Sequence, residues 1–232
     1  MFQLHARPLA ALAAATLLAG AFSTASVRAA NDKILQRVRG AVGYQVTDAA
    51  AFTPVFGKFL LADDAFAVTR DRSAGMVVLP DSSLVALGEN TRVAVGAFNT
   101  TAAGPGSTIT VNGGSLRFDI RRPQGGQANY RFTTVTSQIA VRGTVGLLSF
   151  INGETIVACV TCAADSVVVT VGGRAFPLLS GQVLTVSAAG VVAGSAIAAS
   201  TLSGFSNALV SSDQGRLGSG LGGWTFRLAA ML

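Results

Sequence analysis

Histidine is missing from almost the whole sequence: the only one, His5, lies at the amino terminus inside a segment that reads as an export signal. Downstream of residue 30 this removes the general base of a Ser-His-Asp or Cys-His hydrolase and any histidine-bearing metal site. Charge is also scarce, at 12% of residues, and aromatic platforms are thin, with one Trp and two Tyr. A sugar-stacking surface would call for more of these rings. Of the 17 basic residues, Arg7 and Arg28 fall in the leader, which leaves 15 against the 11 acids and a formal +4. The nearest approach to a basic cluster is Arg121, Arg122 and Arg131, which flank a Pro-Gln-Gly-Gly-Gln loop; it reads as a solvated hairpin end, and no nucleic-acid partner is expected. Acidic pairs remain for glycosidase chemistry, namely Asp63-Asp64 or Asp119 with Glu154. Adjacent aspartates at a strand corner serve more often as turn formers, because their side chains bond nearby amides. Gly113-Gly114 and Gly125-Gly126 lack the helix that a phosphate-cradling loop requires. The chain therefore reads as non-enzymatic, with no catalytic residue, cofactor or metal ligand.

Cysteine occurs only at Cys159 and Cys162. If the chain is exported, the compartment is oxidising and a disulfide between them is expected. In a straight strand two residues so spaced lie ~10 Å apart and face opposite ways. Bridging therefore calls for a tight turn at Val160-Thr161, where β-branched residues are poor. Two free, partly buried thiols are the competing reading. A redox or zinc role lacks the helix start or the further ligands it would need.

What is present begins with residues 1–30: a weakly basic start at His5 and Arg7, an uncharged apolar stretch from Leu9 to Phe22, and a small-residue cleavage site at Val27-Arg28-Ala29. These features make a signal peptide cut after Ala29 or Ala30. An uncleaved anchor is the alternative, but the apolar core is shorter than the ~20 residues a bilayer span needs. The product is then periplasmic or secreted, with no membrane span after cleavage.

From residue 31 to 190 the pattern is one of short alternating strands and polar corners. In Met76–Val95 aliphatic residues break at Pro80-Asp81 and again at Gly88-Glu89-Asn90, which spells strand, turn, strand, turn, strand. Opening strands are predicted at Gln36–Val46 and Phe52–Leu61, a loop at Asn99–Gly106, and a hairpin joining Ser107–Val111 to Ser115–Ile120 through Asn112-Gly113-Gly114. Further strands run to Gln182–Val186. This predicts an all-β fold of many short strands, an irregular twisted β-solenoid or a sandwich, and argues against βαβ units. Ala175–Ser212 carries no charge. Ile197, Leu202, Phe205 and Leu209 sit at near-helical spacing after Ser195, a candidate cap, so residues 191–232 read as a short helix docking on the sheet plus a Gly-rich tail.

The series of corners and strands resembles the FecR family of bacterial periplasmic domains. The likeness lies in GKFLLADDAFAVTRDRSAGMVVLPDSSLVALGENTRVAV (Gly57–Val95), GGSLRFDI (Gly113–Ile120), TTVTSQIAVRGTVGLLSF (Thr133–Phe150) and LLSGQVLTV (Leu178–Val186). Asp81 stands in the family's Asp-Gly-Ser corner, and Val141-Arg142-Gly143-Thr144 is similar to its Val-Arg-Gly-Thr signature. The resemblance implies a non-catalytic β domain that binds another envelope protein in signal transduction or as an exported accessory module. Family members known for signalling add a cytoplasmic sigma-factor-binding segment and a membrane helix; here an export signal stands in their place. The signature residues also have plain physical readings. Gly143 would permit a kink or bulge, Thr144 would bond the corner, and Arg142 would either pair with Asp119 or Asp81 or face solvent. A cell-wall or polysaccharide-binding module is the alternative function.

Overall fold

The computed structural model describes residues 32–197. Nineteen strands follow one another: β1 (Lys33–Arg39), β2 (Val42–Gln45), β3 (Thr53–Pro54), β4 (Lys58–Leu61), β5 (Phe66–Thr69), β6 (Ala74–Val78), β7 (Leu84–Leu87), β8 (Arg92–Val95), β9 (Asn99–Thr101), β10 (Gly104–Gly106), β11 (Thr108–Asp119), β12 (Tyr130–Thr133), β13 (Gln138–Val141), β14 (Val145–Ile151), β15 (Glu154–Thr161), β16 (Val167–Val171), β17 (Arg174–Leu178), β18 (Gln182–Val186) and β19 (Val192–Ala196). Among the described residues there is no helix, and none is long and apolar enough to cross a membrane. The all-β expectation therefore holds.

The pairings sort the strands into two layers. One runs β4-β1-β6-β7-β11-β14-β15-β18-β19, antiparallel throughout. The other runs β3-β2-β5-β8-β11-β12-β13-β16-β17, with one parallel pair between β11 and β12. Strand β11 belongs to both: Thr108 to Gly113 lies in the second layer and Gly114 to Asp119 in the first. Alternation drives this arrangement, as in β16, where Val167, Val169 and Val171 point inward and Val168 and Thr170 are half-buried. Inward residues of both layers, such as Leu35, Val77 and Leu148 from the first and Val42, Ile109 and Ile139 from the second, form one core. Phe118 and Phe132 meet across it with ring centroids 5.1 Å apart. Corners are turned by glycines and by short polar residues at positive φ, the latter including Asp64, Ser82, Asn90, Asn152 and Asp165, whose side chains tolerate the left-handed conformation.

The structure corrects several local expectations. Asn112-Gly113-Gly114 is not a hairpin: the chain continues as β11, Asn112 is the extra residue of a bulge between Val111 and Gly113, and Gly114 takes φ 92°. A side chain at Gly114 would meet the Thr91 backbone at 2.4 Å, so glycine is needed for close passage between layers. The opening strand Gln36–Val46 is broken at Gly40, with φ 65°, into β1 and β2. Phe52–Leu61 likewise divides into β3 and β4, and the Asn99–Gly106 loop contains the small β9-β10 hairpin. Strand β19 carries the β structure past residue 190, and Ser195 lies within it, paired with Val183, where a helix cap was expected. The predicted helix and tail lie outside the described residues.

Candidate functional site

The residues singled out in the sequence gather around Ile120–Arg122, where β11 ends. On one side is the corner between β6 and β7. Asp81 Oδ1 accepts hydrogen bonds from Ser83 N at 2.9 Å and from the Tyr130 hydroxyl at 2.9 Å, and Asp81 Oδ2 accepts from Ser83 Oγ at 3.0 Å. Ser83 Oγ in turn accepts from Arg121 N at 3.0 Å. The carboxylate thereby ties a first-layer corner to Tyr130 of the second layer. Burial pushes the Tyr130 phenol well above its ordinary pKa, and the negative charge of Asp81 adds to the shift. Asp81 is thus occupied as an acceptor by three donors of its own fold.

On the other side is the Val-Arg-Gly-Thr stretch between β13 and β14. Gly143 has φ 105°, and a Cβ there would lie 2.7 Å from Arg122 Cβ and 3.1 Å from Arg122 Cα. Only glycine fits both the conformation and the space. The Thr144 carbonyl accepts from Ile120 N at 2.9 Å. Its hydroxyl donates to the Thr161 carbonyl and lies 3.1 Å from Cys162 Sγ. Arg142 pairs with neither Asp119 nor Asp81; its guanidinium reaches the Asp165 carbonyl at 3.4 Å, and its N–H donates to the Ser166 carbonyl at 2.8 Å. Asp119 is instead taken by Arg117, 3.5 Å away on the same strand.

Cys159 and Cys162 are disulfide-bonded, with Cα atoms 6.0 Å apart. The device that brings them together is a bulge rather than a tight turn. Val145 faces Thr161 while Gly146 faces Cys159, so Val160 is the extra residue and the strand bends at the bridge. The Cys159 carbonyl accepts from Gly181 N at 2.9 Å, and Cys162 N donates to Ser180 Oγ at 2.8 Å, which anchors the bridge to the turn before β18.

Two polar features escaped the sequence reading. Lys33 is 1% exposed, and its ammonium donates to Asp63 Oδ1 at 2.5 Å and to the Val95 and Gly96 carbonyls at 2.9 Å each. All three protons are used, and the side chain clamps β1 to the end of β8. At the end of the first layer away from Ile120–Arg122, the buried hydroxyls of Thr69, Thr91, Ser115 and Ser149 form a chain. Thr69 Oγ1 donates to the Gly88 carbonyl, Thr91 N donates to Thr69 Oγ1, Ser115 N donates to Thr91 Oγ1, and Ser115 Oγ donates to Ser149 Oγ. Above it an open groove of about 620 Å³ is lined by Glu89, Asn90, Asn112, Phe150, Ile151 and Asn152 with neighbouring glycines and Ser115. Among the described residues no group of three or more His, Cys, Asp or Glu side chains could hold a metal ion.

The Asp81 corner, the Arg142-Gly143-Thr144 stretch and the disulfide all fall within a region that matches a known family. Residues 66–167 match the family model for FecR protein. This segment is a FecR domain. Within it Asp81, Gly143 and Thr144 make their contacts at one end of the two layers. Two crystal structures of a candidate anti-sigma factor from Parabacteroides distasonis ATCC 8503, at 2.50 and 1.65 Å resolution, are similar to the chain at 17% identity and a TM-score of 0.48. The likeness covers 60% of this chain and 62% and 63% of those, so the chain spans about three fifths of the length of the solved structures it matches. No curated protein matches it.

Proposed function

We propose that this chain is an exported, non-catalytic regulatory module of the bacterial envelope that binds another protein by strand addition. The observation that carries this reading is the free edge at β4. Among the described residues it pairs only with β1. Leu60 is 59% exposed on it, and Phe56, just before it, is 84% exposed. An edge strand offers unpaired N–H and C=O groups to an incoming strand, and apolar side chains along it supply specificity. Soluble proteins usually blunt such edges. The edges of the second layer are blunted: β3 has two residues including Pro54, and β17 carries Arg174 and Pro177. Strand β4 has a single charge, Lys58, followed by Phe59, Leu60 and Leu61.

The FecR domain supports a regulatory rather than a catalytic role, and the leader supports export to the periplasm or beyond. Retention of a specific protein from envelope extracts by the native chain, and its loss with Leu60→Lys, is the expected result. A chain that retains nothing under several conditions, or retains the same protein equally well after Leu60→Lys, would sink the reading.

The groove above the Thr-Ser chain favours a second reading, a polysaccharide site. Three amide side chains and one carboxylate border an apolar floor of Phe150 and Ile151, and sugars need both kinds of contact. A glycan array answers this directly, with Asn112→Ala abolishing any signal that arises there.

A further inference from the structure

Strand β4 is flanked by one exposed charge of each sign. Lys58 opens it and Asp64 stands just beyond Leu61, and among the described residues neither has an ion-pair partner. Between them the edge is apolar, with Leu60 well exposed. Its backbone is also poised for pairing. Arg37 N donates to the Gly57 carbonyl at 3.0 Å, and in the same register Leu35 faces Phe59 and Lys33 faces Leu61. Bonded and non-bonded pairs alternate along an antiparallel ladder. Counting by twos from Gly57, Phe59 and Leu61 bond to β1, so Lys58 and Leu60 turn their N–H and C=O groups toward the free side.

A strand that complements this edge needs an acid near Lys58, a base near Asp64 and an apolar residue between them. Run in the opposite direction, β4 itself meets all three needs. We infer that β4 pairs with β4 of a second copy, antiparallel about a two-fold axis at Leu60, so that the resting chain is a symmetric dimer with this edge closed. In that register Leu60 faces Leu60 and the two exchange a pair of N–H···O=C bonds. Lys58 faces Ala62 of the second copy and lies diagonal to its Asp64, a separation that long side chains span. The axis repeats the charge contact, and an isologous pair closes without inviting a third copy. The inference rests on the strand addition proposed at β4 and names its regulation: a foreign strand must displace the second copy. The contact is short, four residues of β4 a side. Interfaces below about 1,200 Å² are weak and transient, so dilution or a competing strand releases the edge.

Sedimentation velocity of the mature chain, with no other protein present, should show a monomer–dimer equilibrium that moves with concentration. Lys58→Asp and Asp64→Lys each set like charges against one another twice across the axis, so either alone should weaken the dimer at least about tenfold. Mixed in equal amounts, the two variants should form a heterodimer about as tight as the native pair, because every contact again joins opposite charges. Thr110→Asp, exposed on the second layer, should leave the dimer unchanged. If Asp64→Lys does not fold, Lys58→Asp against the native chain decides alone. A monomer at every concentration up to about 1 mM would overturn the self-pairing, as would a dimer indifferent to Lys58→Asp or a mixture of folded variants that stays monomeric. The two readings of β4 fail separately. A chain that stays monomeric yet captures a protein through β4 overturns the self-pairing alone, and a charge-sensitive dimer that captures nothing overturns only the binding of a foreign protein.

Discussion

Replacing Gly143 by alanine tests the idea that the Val-Arg-Gly-Thr stretch is a fixed crossing point rather than a binding motif. Its φ of 105° lies well beyond the left-handed well near 57° that side chains can enter. Holding a non-glycine residue there costs about 1–3 kcal/mol. The new methyl would sit 2.7 Å from Arg122 Cβ and 3.1 Å from its Cα, and relieving such overpacking costs a further ~1–3 kcal/mol. The sum, about 2–6 kcal/mol, is a large part of the ~5–15 kcal/mol that holds a domain of this size folded. Gly172 is the control. It also has a positive φ, 54°, but that value lies inside the left-handed well and nothing stands within 4 Å of the added atom, so Gly172→Ala should cost only about 1–2 kcal/mol. Equilibrium urea unfolding followed by circular dichroism reads both, with similar m-values expected. The reasoning fails if Gly143→Ala stays within about 1 kcal/mol of the native chain, or if the two variants lose equal amounts.

Tyr130 has its pKa raised in the folded state, so its contribution is fully present below the unfolded value near 10 and should fade as pH climbs beyond it. Unfolding free energy should therefore drop above pH ~10, with phenolate absorbance from Tyr130 appearing only as the chain unfolds. Tyr130→Phe should flatten that decline and cost about 1.5–3 kcal/mol at neutral pH for the lost bond to Asp81. The Cys159–Cys162 bridge spans a sequence separation of only 3, so its reduction should lower stability by about 2 kcal/mol and leave the fold intact. Alkylation of the native protein followed by mass measurement checks the bridge, and two freely modified thiols would reject it. Lys33→Met should be mild for a buried charge, at no more than about 2 kcal/mol. The Val95 carbonyl keeps Asp64 N and the Gly96 carbonyl keeps Ser107 Oγ as donors, and denaturant titration would expose a larger loss.

Strand spacing and polar corners were legible because they are local: Met76–Val95 alternates visibly, and Asp81, Asn90 and Asn152 sit where the chain turns. The reading failed at Asn112-Gly113-Gly114 because Asn-Gly marks a backbone need without saying which. There the need was passage beside Thr91, a residue 20 or more positions earlier in the chain and invisible to local pattern. The turn expected at Val160-Thr161 was misread, since the bulge found there depends on the register of β14 against β15. Lys33 could not be read as buried from its charge, nor Tyr130 as the partner of Asp81, because both roles arise from residues tens of positions away. The Ile120–Arg122 junction, where the Asp81 corner meets Gly143 and Thr144, is likewise a product of tertiary arrangement.

Strand β11 also sets how faults spread. Side chains alternate sides with a period of two, so a shift of one residue inverts a strand. A deletion in any strand confined to one layer would break the pairing register of that layer alone. In β11 the same event would present the wrong faces to β8 and β12 on one side and to β7 and β14 on the other. Asn112, the spare residue at the crossing, keeps the two halves in separate phase. Random length variation should accordingly be tolerated at the exposed Gln124-Gly125-Gly126 turn and purged between Thr108 and Asp119.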